Sequence, residues 1–147
     1  MNRRGFTLME VIIVLALMGI LMAMATPSMI AWRESARNKE VAREILAGLR
    51  QARSIAVTEN RDIIVSLNTN TNQLTINGNV RQLAQSVPIQ AKTVGTAGWD
   101  DDDLVSPAVV TFLPQGNSTN LISVRVNQND RLVVEIDSVA SGLARIN

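Results

Sequence analysis

Hydrophobic and polar positions divide the chain into three stretches. From Val11 to Trp32 no side chain is charged. With Phe6 to Met9 ahead of it, this run is long enough to cross a bilayer, which takes about 20 residues. Further on, Ala42, Ile45, Leu46, Leu49, Ala52 and Ala56 recur at helical spacing. Arg33, Glu34, Arg37, Glu40, Arg43, Glu44, Arg50 and Arg53 cover the other faces, and Glu40 and Arg43 are spaced for an i,i+3 pair. The pattern predicts one helix from about Thr7 to about Thr58. A kink is expected near Pro27, because a proline inside a helix removes one hydrogen bond and clashes with the preceding turn. The first half of this helix is apolar all round and suits lipid. The second half is amphipathic and predicts packing on a sheet.

From Asp62 the period changes to two. Asp62 to Leu67 and Gln73 to Asn77 predict a hairpin over the loop Asn68 to Asn72. Val80 to Gln90 is a weaker strand, with Pro88 suggesting an edge. Val94 to Pro107 is irregular and holds Gly95, Gly98 and the acidic run Asp100 to Asp103. Ala108 to Leu113 is a further strand, ended by Pro114-Gln115-Gly116-Asn117. Leu121 to Val126 and Arg131 to Ile136 predict a second hairpin, and a short strand from Gly142 to Ile146 closes the pattern. Phe112 is expected in the core. A β-rich unit of this size holds one core, covered by the amphipathic half of the helix.

Composition removes several kinds of chemistry. The chain has 147 residues, 46% of them hydrophobic, and no His, Cys or Tyr. No Ser-His-Asp triad, cysteine nucleophile, zinc cluster or haem-ligating histidine can be built from it. No pair of nucleophile and base stands out, so the expectation is a protein that is not an enzyme and carries no cofactor. The formal net charge is +1. Residues 62–147 hold five Lys/Arg against eight acids, a balance that repels nucleic-acid phosphates except at local patches. The basic excess from Arg33 to Arg53 reads as a solvated, bilayer-proximal face. The four adjacent carboxylates of Asp100 to Asp103 offer oxygen ligands for calcium. Neighbouring side chains diverge unless a turn gathers them, so a solvated loop is the expectation, with Trp99 as its anchor or as a contact surface.

Glu10 stands out, because a carboxylate within an apolar segment costs roughly 2.5–3.5 kcal/mol at the bilayer centre and less near the interface. It either marks the headgroup level or needs a cationic partner. A secretory signal is the competing reading, with Ala23-Met24-Ala25 as the cleavage site and a soluble protein starting at Thr26. A carboxylate in the hydrophobic region argues against it.

Arg3-Arg4-Gly5-Phe6-Thr7-Leu8-Met9-Glu10, followed by the apolar run, resembles the N-terminal signal of type IV pilins and type II secretion pseudopilins. Gly19 and Pro27 also fall where that family places a Gly and a Pro. The resemblance implies cleavage by a membrane prepilin peptidase between Gly5 and Phe6, then N-methylation of Phe6. It implies that Glu10 pairs with the free amine of a neighbouring subunit during assembly. It further implies a cytoplasmic N-terminus and a C-terminal domain outside the inner membrane.

The order of elements is similar to the GspH/FimT-type minor pseudopilins. The shared features are a helix, a hairpin, a Phe-x-Pro-x-Gly stretch (Phe112 to Gly116), a second hairpin and a Gly-containing C-terminal strand. Some FimT-like members bind DNA through a C-terminal Gly-Arg-x-Arg motif. The matching stretch here is Gly142-Leu143-Ala144-Arg145, so only Arg145 carries over.

The expected fold is therefore α+β and pilin-like: a long N-terminal helix, transmembrane in its first half, packed on a small antiparallel β-sheet domain. The expected segments are a leader at 1–5, a transmembrane helix at 6–31, its amphipathic continuation at 32–58 and a periplasmic domain at 59–147. The expected role is a minor subunit of a type II secretion pseudopilus or a type IV pilus that initiates or caps the fibre. Its partners would be other pilins or pseudopilins, the prepilin peptidase and the inner membrane. The alternative is a DNA-uptake pilin contacting DNA through Arg145.

Overall fold

The computed structural model describes residues 6–94 and 99–146, with the side chains at 23–28 and 101 outside that description. The cleavage-site residue Gly5 and the loop glycines Gly95 and Gly98 therefore lie outside the described residues. One helix, α1, spans Leu8–Glu59, within a residue of the expected bounds, and runs through Pro27. The chain divides into two compact units, Met1–Ala36 and Arg37–Asn147.

In the second unit α1 ends where Asn60 adopts a left-handed conformation (φ 50°) and Arg61 N–H donates back to Ala56 O at 3.2 Å. Asparagine tolerates that conformation, and the bond satisfies a carbonyl the helix end would leave open. Eight strands follow: β1 (Ile63–Asn68), β2 (Gln73–Ile76), β3 (Asn79–Gln82), β4 (Ile89–Thr93), β5 (Ala108–Phe112), β6 (Ile122–Val126), β7 (Val133–Ile136) and β8 (Ala144–Ile146). They form two antiparallel four-stranded sheets, ordered β3-β2-β1-β5 and β4-β6-β7-β8.

Alternation sets the faces. Ile63, Val65 and Leu67 of β1 point inward with Leu74 and Ile76 of β2 and Ala108, Val110 and Phe112 of β5. Val41, Ala42, Ile45, Leu49, Ala52 and Ala56 supply the helical side of one continuous core. Leu46 packs at its margin, half-buried. Burying a side chain such as Ile45 or Leu49 contributes about 1.5–3 kcal/mol, so this stripe holds the helix on the sheets.

The weak strand expected over Val80 to Gln90 is two strands in different sheets. Asn77 and Gly78 both have positive φ (49° and 84°), the mark of a two-residue type I′ hairpin turn, and β3 leaves it to pair with β2. The chain then crosses to β4 because Leu83 and Val87 are drawn into the core. Asn72, itself buried, holds the crossing: its Nδ2 donates to Ala84 O (2.9 Å) and Val87 O (2.8 Å), and its carbonyl accepts from Leu83 N–H (2.9 Å). Pro88 sits immediately before β4, at the strand's start and not within it.

Candidate functional site

The first described turn of α1 organises Phe6 to Glu10. Thr7 caps the helix: its Oγ1 accepts from Glu10 N–H at 3.2 Å and its carbonyl accepts from Val11 N–H at 3.3 Å. Glu10 is thus the third residue of the helix, where a negative charge meets the positive end of the helix dipole. Its carboxylate is exposed, and among the described residues no cation pairs with it. It borders a shallow apolar groove formed with Phe6, Val11, Val14 and Leu15.

Every described hydrophobic side chain from Phe6 to Met22 is exposed, Phe6 at 84% and even Val14 at 46%. A helix apolar all round is not stable facing water; it requires lipid or other helices. Among the described residues no helix is long and apolar enough to cross a membrane. The described apolar side chains, Leu8 to Met22, cover about 22 Å of helix, against roughly 30 Å of hydrocarbon. In sequence the apolar run continues to Ala31.

A second constellation gathers the Phe-x-Pro-x-Gly stretch and the C-terminal strand. Gly116 N–H donates to Leu113 O (2.8 Å) and Leu113 N–H to Asn117 O (2.9 Å), folding Leu113 to Asn117 into a tight turn. Arg53, reaching from α1, donates through Nε to Gly116 O (2.8 Å) and Ser141 O (3.1 Å). One turn earlier Arg50 donates through Nη2 to Ala144 O (3.2 Å). Gly142 has φ 56°, and a Cβ there would overlap the Gly116 carbonyl oxygen. The two glycine motifs are therefore one contact, and Arg53 closes it. This corrects the expectation of a purely solvated basic face: Arg50 and Arg53 are latches on the C-terminal segment. The sequence signal was their position, beside the core stripe of Leu49 and Ala52.

Arg145 lies on β8 and forms an ion pair with Asp137 at 2.9 Å (Nε to Oδ1), both half-exposed. Two cations lie over the Trp99 ring, Lys92 Nζ at 4.7 Å and the Arg125 guanidinium at 4.6 Å from its centre. Arg125 also donates to Gln90 Oε1 (2.7 Å) and Asp130 Oδ1 (3.1 Å). Trp99 thus anchors the loop to the second sheet. Asp101–Asp103 form a single 3-10 turn, and among the described residues no three acidic side chains converge as a metal site.

Two family models match. Residues 1–26 match the prokaryotic N-terminal methylation motif, and residues 41–142 match type II transport protein GspH. No curated protein sequence matches the chain. Among solved structures it is similar to the minor pseudopilin EpsH from the type II secretion system of Vibrio cholerae. That likeness has 17% identity and a TM-score of 0.56, covering 76% of this chain and 93% of the other. It is also similar to the type IV minor pilin FimU of Pseudomonas aeruginosa, with 19% identity and a TM-score of 0.55, covering 78% and 90%. At these identities the structural likeness establishes the shared fold.

Proposed function

This chain belongs to the type II transport protein GspH family, and from that premise we propose that it initiates or caps a fibre of pilin-like subunits. It is a minor pseudopilin- or pilin-type structural subunit of the type II secretion and type IV pilus class. The observation that carries the proposal is Glu10, exposed and without a cation partner among the described residues, on a helix whose described apolar side chains from Leu8 to Met22 are all exposed.

In this reading the prepilin peptidase cleaves between Gly5 and Phe6, and Phe6 is N-methylated. The match of residues 1–26 to the methylation motif supports both steps. Cleavage removes Arg3 and Arg4 and leaves a cationic amine at Phe6, four residues from Glu10. Within one helix the two charges are offset along the axis. A neighbouring helix staggered by that offset brings its amine to this carboxylate. In a low-dielectric setting an unpaired charge is costly, so the pair favours one register over others. Before assembly the apolar half is held in the inner membrane, bent at Pro27, with its N-terminus cytoplasmic and the Arg37–Asn147 unit periplasmic. The Asp137 ion pair occupies Arg145, the one position carried over from the DNA-binding motif, which favours assembly over DNA contact.

Intact mass and N-terminal sequencing of the mature protein from membranes test this. A chain starting at methylated Phe6 is expected. A chain starting at Thr26 would overturn the reading.

A further inference from the structure

Each sheet has two edge strands, β3 and β5 in the first and β4 and β8 in the second. An edge exposes backbone donors and acceptors that invite another strand, and proteins cover such edges. The chain itself meets three of these four, β5 and β4 at several positions and the three-residue β8 at one. On β5, Asn120 Nδ2 donates to Val109 O (2.8 Å), Thr119 N–H donates to Thr111 O (2.9 Å), and Thr119 Oγ1 accepts from Thr111 N–H (3.3 Å). On β4, Val105 N–H donates to Ala91 O (2.9 Å), and Leu104 bridges Lys92. On β8, the Arg50 guanidinium meets Ala144 O.

β3 is different. Its two-residue turn makes Asn79 and Arg81 the residues whose backbones bond to Ile76 and Leu74. The N–H and C=O groups of Val80 and Gln82 therefore point away from the sheet. Among the described residues no group of the chain meets them, and all four residues of β3 are exposed.

The two sides of this edge differ in chemistry. On the outer face Val80, Thr75, Ser66 and Val109 form one cross-strand row without a charge. On the other side lies a groove of about 230 Å³, lined by Gln51, Ile55, Arg61, Asn79 and Arg81 among others. Arg61 is neutralised by Glu59 at 2.6 Å. Arg81 donates to the neutral Gln51 Oε1 at 2.7 Å, and among the described residues no carboxylate pairs with it, which leaves one positive charge in the groove.

We propose that β3 is a docking edge for an extended acidic segment of a partner protein. The segment adds as a further strand, with alternate carboxylates facing Arg81 and small uncharged side chains beside Val80. Backbone bonds supply affinity, and the alternating side chains supply specificity. A second copy of this chain is a poor occupant, because two β3 strands paired about a twofold axis bring their Arg81 side chains to the same face, where like charges repel. The folding of Arg81 back onto Gln51 leaves the edge open, so the arginine selects partners without blocking them.

The test uses the full-length chain in zwitterionic detergent micelles and two labelled heptapeptides, alternating Thr with Glu or Thr with Lys. Fluorescence anisotropy is expected to show the Glu peptide binding about tenfold more tightly than the Lys peptide. Amide NMR shifts are expected to centre on Val80 and Gln82. Arg81→Glu should invert the preference. Val80→Pro should weaken binding about tenfold without unfolding the domain, since proline is tolerated where an edge N–H faces outward. Equal binding of the two peptides, unchanged preference in Arg81→Glu, or shifts centred elsewhere would overturn the proposal. The edge lies within the Arg37–Asn147 unit, so such a result would leave the role of Glu10 untouched.

Discussion

Gly142→Ala isolates the contact that joins the two glycine motifs. Two costs act at this position. The first is conformational: at φ 56° an L-residue other than glycine costs about 1–2 kcal/mol. The second is steric. The added Cβ would overlap the Gly116 carbonyl oxygen and lie 3.2 Å from Asn117 C and 3.3 Å from Asn117 Cα, all backbone atoms that cannot rotate away. Relief requires the Gly116 carbonyl to move, and that carbonyl accepts the 2.8 Å bond from Arg53. A hydrogen bond to a charged donor contributes about 1.5–3 kcal/mol. The expected loss is therefore about 2.5–5 kcal/mol. Gly78→Ala is the matched control: φ is 84° and nothing lies within 4 Å of its Cβ position, so only the conformational cost applies. Denaturant unfolding followed by Trp99 fluorescence, in a Trp32→Phe background, measures both. Asparagine at each position separates the two costs, because it tolerates positive φ but keeps the Cβ. Gly78→Asn should be close to neutral, and Gly142→Asn should stay strongly destabilised. If Gly142→Ala costs no more than Gly78→Ala, the contact with Gly116 is not what makes glycine necessary.

Arg53→Met keeps the apolar stem but removes both carbonyl contacts; residues 137–146 should then exchange amide hydrogens faster, with about 2 kcal/mol lost from global stability. Trp99→Ala removes two cation–π contacts, each about 0.5–2 kcal/mol; proteolysis should shift to the loop around residues 99–104 while the core stays protected. Ser118→Ala should be neutral or stabilising in thermal unfolding, because Ser118 Oγ is buried and has no hydrogen-bond partner among the described residues. Glu10→Val should leave processing at Gly5-Phe6 intact and impair co-assembly with partner pilins. Normal co-assembly of that variant would remove the basis for the proposed pairing.

Elements whose physics is local can be read directly from the residue pattern. The charge-free run and the 3.6-residue stripe of Ala42, Ile45, Leu49, Ala52 and Ala56 fixed one helix and its buried face, since periodicity alone decides which side chains can share a surface. The alternation from Asp62 gave the first hairpin within a residue of its observed bounds. A second local signal is Asn77-Gly78, the preferred pair for a type I′ turn, which places β3 directly after β2. Other features were decided by tertiary structure. Which sheet β3 and β4 join depends on Leu83, Val87 and the buried Asn72, residues that meet only after the crossing is made. Arg50 and Arg53 have the same local pattern as their solvated neighbours; the carbonyls they hold lie 63 to 94 residues away. Gly116 and Gly142 could be recognised one at a time, but not as a single contact. Periodicity reports the direction of a side chain from its own backbone. What waits in that direction is set by packing among distant segments, and there the sequence pattern carries no information.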